Sequence, residues 1–153
     1  MKTRFRLSIP ACCGVVLAAT LAALAAPSAH AGRVHGVRAN GDGSATAATG
    51  VARRGPNGGT ARRAGTTSVH ADGSASHSSG LSASNARGTV DSSGSASRDA
   101  AGNAQQSRTT TATSAATGNS VQASTSTTRE AGVVDRDRSV TCTDAAGAVI
   151  ACR

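Results

Sequence analysis

Apolar and polar positions alternate along short stretches of this chain and never recur at helical spacing. "TSVHA" (67–71), "GTVDS" (88–92), "NSVQAS" (119–124) and "SVTCT" (139–143) each set a valine between small or polar neighbours. Period-two alternation of this kind marks a strand with one face turned from water. The stretch "SRTTTATSAATGNSVQASTSTT" (107–128) is dominated by Thr and Ser, with Val121 among them. Its β-branched residues favour an extended backbone. A helical reading fails because no apolar set returns every three to four residues and because glycine is frequent throughout.

The turns follow a ladder of glycines. Gly43, Gly59, Gly73, Gly88, Gly102, Gly118, Gly132 and Gly147 are spaced by 16, 14, 15, 14, 16, 14 and 15 residues. Regular spacing of this length points to a repeat architecture. A small polar residue follows six of the eight glycines, and Ala or Val stands two places after seven of them. Gly50, Gly65, Gly80 and Gly94 fall midway between rungs and read as a second turn within each unit. The words between strands suit hairpins. "DAAG" occurs at 99–102 and again at 144–147, with "PNGG" at 56–59 and "HADG" at 70–73. Asp accepts from nearby backbone N–H groups, and Gly supplies the positive φ that closes a bulged hairpin. The pattern predicts an all-β fold: a repetitive antiparallel β-meander of ~15-residue, two-strand repeats over 43–153, with 32–42 as a lead-in. A β-solenoid and a largely disordered chain are the alternatives.

The first 31 residues belong to a different class. "MKTRFR" is basic, "ACCGVVLAATLAALAA" is apolar and "PSAHA" ends in small residues. These are the three parts of a helical secretory signal peptide, with cleavage expected after Ala31. The apolar run is shorter than the ~20 residues of a membrane span. Cys12 and Cys13 precede most of that run and are expected to leave with it. The reading places the mature chain in the periplasm or outside the cell, with no transmembrane segment.

Composition limits what the mature part can be. Residues 32–153 hold 13 Arg, no Lys and 8 carboxylates, for a net charge of +5, and no aromatic residue. Large aliphatic side chains number twelve, about a tenth of these residues. At about 25 cal/mol per Å² of apolar area buried, so few cannot offset ordering the whole stretch. Order must come mainly from backbone hydrogen bonds. Cys142 and Cys152 stand five residues on either side of Gly147. A hairpin turning at the second "DAAG" brings them together, and an oxidising compartment bridges them. The expected result is a clamped C-terminal hairpin over 139–153.

Candidate chemistry is sparse. His70 and His77 flank a turn, but Asp72 is the one carboxylate near them in sequence, short of a metal-ligand set. "NGDGS" (40–44) lacks the further carboxylates of a calcium loop. There is no G-x-S-x-G elbow and no bulky apolar material from which to build a dry cleft. The reading is therefore non-enzymatic, with no cofactor and no small-molecule substrate. The basic pairs Arg53-Arg54 and Arg62-Arg63 stand out, with Arg33 and Arg38 nearby and only Asp42 opposing them before residue 64. Arginine's planar fork suits phosphate and carboxylate groups. The leading expectation is an exported structural or surface repeat protein. The alternatives are a cationic module for lipopolysaccharide, an acidic polymer or extracellular DNA, and a cross-β fibre subunit associating through sheet edges.

Overall fold

A computed structural model of the chain describes residues 30–152. Of the expected signal peptide, only His30 and Ala31 fall within the described residues. The described chain is a meander of nine strands in one open sheet: β1 (His30–Ala39), β2 (Ala45–Arg54), β3 (Thr60–Val69), β4 (Ala75–Asn85), β5 (Gly88–Arg98), β6 (Ala104–Ser114), β7 (Ser120–Glu130), β8 (Val133–Thr143) and β9 (Val149–Ile150). Each strand pairs with the next in sequence, and every pairing is antiparallel. Parallel solenoid rungs are thereby set aside. The stretch read as a lead-in joins the sheet as most of β1.

The pattern of two short strands per glycine interval needs correction. Each interval holds one strand of 10 or 11 residues, β9 excepted. The mid-interval glycines Gly50, Gly65, Gly80 and Gly94 sit inside β2, β3, β4 and β5, fully paired on both sides. Two of them make room for a neighbour. A Cβ on Gly94 would meet the Arg108 guanidinium at 3.4 Å, and one on Gly65 would meet His77 Cε1 at 3.5 Å. These glycines are floors under larger side chains, not turns.

Positive φ is found at Gly43, Gly58, Gly73, Gly88, Gly102, Gly118, Gly132 and Gly147. The second position is Gly58 where the sequence ladder placed Gly59. Five connections share one bonding pattern: 40–44, 55–59, 70–74, 99–103 and 144–148. In each, the first N–H donates to the fifth carbonyl and the fourth N–H donates back to the first carbonyl, as in Asp144 N to Ala148 O at 2.9 Å and Gly147 N to Asp144 O at 3.0 Å. The fourth residue is always a glycine in the left-handed region, where a Cβ would crowd the residue's own carbonyl oxygen. Two connections are tighter. Ala86–Arg87 joins β4 to β5, and Ala131–Gly132 joins β7 to β8 with both residues at positive φ, 48° and 84°.

Among the described residues no hydrophobic side chain is buried, and Ser92 at 8% exposure is the one buried polar residue. The ladder bonds, with the cross-strand side-chain pairs, hold the sheet together. Cys142 and Cys152 form a disulfide with a Cα–Cα distance of 5.4 Å, tying the end of the chain to β8 across the 144–148 turn.

Candidate functional site

Side chains alternate along a strand, and residues facing each other across an antiparallel pair project to the same side. The register therefore sorts every strand residue onto one of two faces.

One face is hydroxylic. Ser78, Ser95, Ser107 and Ser126 form one row across β4 to β7, and Ser93, Thr109, Ser124 and Ser139 form another across β5 to β8. Five cross-strand hydroxyl pairs knit it: Thr46–Ser68 at 3.4 Å, Thr60–Ser84 at 2.9 Å, Ser95–Ser107 at 2.9 Å, Thr109–Ser124 at 3.3 Å and Thr113–Ser120 at 2.8 Å. All four strand carboxylates, Asp91, Glu130, Asp135 and Asp137, are also on this face, with Arg38, Arg54 and Arg62.

The other face is cationic and aliphatic. Arg33, Arg53, Arg63, Arg98, Arg108, Arg129, Arg136 and Arg138 all project from it, and no strand carboxylate does. Between them stand Val37, Val51, Val69, Leu81, Val90, Val121, Val134, Val140 and Ile150. An open groove of about 1040 Å³ crosses one end of this face, lined by Arg53, Ala61, Ala83, Val90, Ala112, Val121, Cys142 and Ile150. These residues occupy one register column from β2 to β9. Toward the middle of the face, Arg108 Nη1 donates to Ser92 Oγ at 3.2 Å, and Ser92 Oγ shares a 2.8 Å bond with Thr110 Oγ1. The guanidinium is thus held over Gly94, in the space a Cβ there would need.

The arginine pairs singled out in the sequence split between the faces. Arg53 and Arg63 join Arg33 on the cationic face, while Arg54 and Arg62 lie on the hydroxylic one. Adjacent residues of a strand must point to opposite sides, so neither pair forms a single patch. What the sequence reading missed was the remaining five arginines of the cationic face, all beyond residue 90. The signal was present in "DRDR" (135–138), where acid and base alternate strictly. Parity has a meaning only once the register is known.

His70 lies in a turn and His77 in β4, where His77 Nδ1 is 2.8 Å from Thr67 Oγ1. Among the described residues no group of three or more His, Cys, Asp or Glu converges on a common point, and no helix is long and apolar enough to cross a membrane.

The turn carboxylates have an electrostatic role. Asp42 is held below its ordinary value of 3.8 chiefly by the Ser44 hydroxyl and then by the Ser44 N–H. Asp72 is lowered by Ser74, and Asp99 by the Asn103 side chain and then its N–H. A carboxylate with a lowered folded pKa stabilises the fold above its unfolded value and loses that contribution as pH falls through the folded one. On acidification below pH 3.8, the Ser44, Ser74 and Asn103 amides are therefore expected to shift and lose exchange protection. Mid-strand amides of β3 to β6 should hold. A two-dimensional NMR titration from neutral pH to about pH 2 reads this directly.

No family model, curated protein or solved structure matches the chain.

Proposed function

We propose that the chain is an exported, non-enzymatic surface protein: a single thin sheet that adheres through its cationic face to anionic groups of the cell envelope or its surroundings. The observation that carries this reading is the segregation of charge, with eight arginines on one face and every strand carboxylate on the other. Export is supported by the signal-like N-terminus and by the disulfide. Cleavage after Ala31 leaves Gly32–Ala39 to form β1. The unit repeated along the chain is then one strand and one glycine-closed turn.

The first three strands allow a matched test. Arg33, Arg53 and Arg63 lie on the cationic face and Arg38, Arg54 and Arg62 on the opposite one, one of each per strand. Changing either trio to Gln removes the same charge from the same strands. Retention on immobilised duplex DNA, used as a generic polyanion, is measured against salt. Each lost phosphate contact lowers the log–log salt slope by about 0.9, so the Arg33/Arg53/Arg63 variant is expected to lose about 2 to 3 units and its counterpart much less. Equal losses would remove the assignment to a face. No salt-dependent retention of the unaltered chain would remove the adhesion reading.

A second reading is end-to-end self-association. The outer edges of β1 from Ala31 to Ala39 and of β8 from Val133 to Thr141 carry no strand partner among the described residues. Unpaired edges of this length are templates for another strand. Such pairing would extend the sheet and leave both faces free.

A further inference from the structure

We propose that the cationic face docks on an anionic lipid layer, its guanidinium groups on lipid phosphates and its aliphatic side chains in the headgroup–acyl boundary. This rests on the adhesion reading and narrows the anion to one that carries acyl chains.

Three observations point there. The arginines are spread over every long strand except β4 rather than gathered in a pocket. With ~3.3 Å per residue along a strand and ~4.8 Å between strands, they span a surface of roughly 30 by 35 Å. That layout suits an extended field of anions, not one small molecule. Second, the face mixes charge with aliphatic area. Leu81, Val90, Val121 and Ile150 are each 36–37% exposed, and Val140 is 48% exposed. A hydrated polyanion would neutralise the arginines and leave these side chains in water. A lipid boundary satisfies both, because arginine stems lie along apolar material while their heads stay at the phosphates. Third, a second copy of the chain is a poor cover. Two cationic faces brought together would oppose sixteen arginines with no strand carboxylate between them. The hydroxylic face offers four carboxylates against its own three arginines, too little to complement the cationic one.

The test uses the purified oxidised chain and sedimentation with two vesicle preparations: phosphatidylcholine alone, and phosphatidylcholine with a quarter phosphatidylglycerol. Two variants accompany it, Leu81→Ser/Val90→Ser/Val121→Ser on the cationic face and Val34→Ser/Val149→Ser on the other. At 0.15 M salt the chain is expected to bind phosphatidylglycerol vesicles at least tenfold better than phosphatidylcholine ones. The triple variant should lose about tenfold of that binding while keeping its retention on duplex DNA. The double variant should bind as the unaltered chain does. Far-UV circular dichroism checks that each variant keeps its strands. If the triple variant does not, the salt profile decides: binding to phosphatidylglycerol vesicles that persists at a salt concentration which strips the chain from DNA supports acyl contact. Retention on DNA without vesicle binding would overturn the lipid inference and leave the adhesion reading standing. Vesicle binding insensitive to the three serines, or equal on both vesicle types, would also overturn it. Failure on both DNA and vesicles removes both readings.

Discussion

Replacing Gly88 with alanine is expected to cost about 3 kcal/mol or more and to unravel the middle of the sheet, whereas Gly73→Ala should cost only about 1–2 kcal/mol. Both glycines have positive φ, 151° and 83°. They differ in what surrounds them. A Cβ on Gly73 would meet nothing within 4 Å, so its substitution isolates the backbone strain. A Cβ on Gly88 would collide with the Thr113 carbonyl oxygen and would stand 3.3 Å from the Ala115 nitrogen. Both are backbone atoms and cannot swing aside. Gly88 sits where β4 turns into β5 and where β5 meets the end of β6, opposite Asn85 and Ser114. The local bonds there are closely coupled: Ala115 N donates to Arg87 O at 2.9 Å, and Arg87 N to Asn85 Oδ1 at 2.8 Å. Moving Thr113 aside would pull on its Ser120 partner in β7 as well. A sheet without a buried hydrophobic core has no packing reserve to absorb the shift. Urea unfolding followed by circular dichroism measures both variants, and equal losses would show that strain alone sets the cost.

The same glycine illustrates how far the sequence could be read. The ladder through Gly43, Gly73, Gly88, Gly102, Gly118, Gly132 and Gly147 was visible because a left-handed turn position excludes nearly every other residue. At "PNGG" the sequence offered two adjacent glycines, and which of them turns depends on how β2 and β3 align. The mid-strand glycines misled for a related reason. A glycine that makes room for Arg108 or His77 is indistinguishable, in one dimension, from one that turns the chain. Reading Gly65 and Gly94 as turns halved the strand length and doubled the strand number. The clamp between Cys142 and Cys152 was legible because it depends on a single local hairpin. The cationic face was not. Arg53 and Arg98 reach the same side only through the register of three consecutive hairpins, each fixing the parity of the next. A one-residue slip in any of them would send all later arginines to the other face.

Reducing the disulfide, or replacing Cys152 with serine, is expected to release β9 and leave the rest of the sheet in place. Only two residue pairs, Cys142 with Ile150 and Thr143 with Val149, attach β9 to β8. Such a short ladder does not hold a chain end on its own. The 10-residue separation of the cysteines corresponds to an entropic contribution of about 2–3 kcal/mol in the chain-entropy model. That is enough to decide whether β9 is docked or frayed. Once it frays, Ile150 leaves the groove it lines with Val90, Ala112 and Val121. The outer edge of β8 is then exposed along its whole length, from Val133 to Thr143. Two readouts follow. Amide exchange at Ile150, the hydrogen-bonded position opposite Cys142, should accelerate by roughly 30-fold or more, the factor that about 2 kcal/mol represents, while β3 to β6 keep their protection. Concentration-dependent light scattering should rise, because a longer unpaired edge recruits a second chain more readily. If exchange at the C-terminus quickens with no change in scattering, edge pairing does not run through β8. If neither changes, the turn bonds from Ala146 and Ala148 to the Asp144 carboxylate hold the hairpin without the clamp.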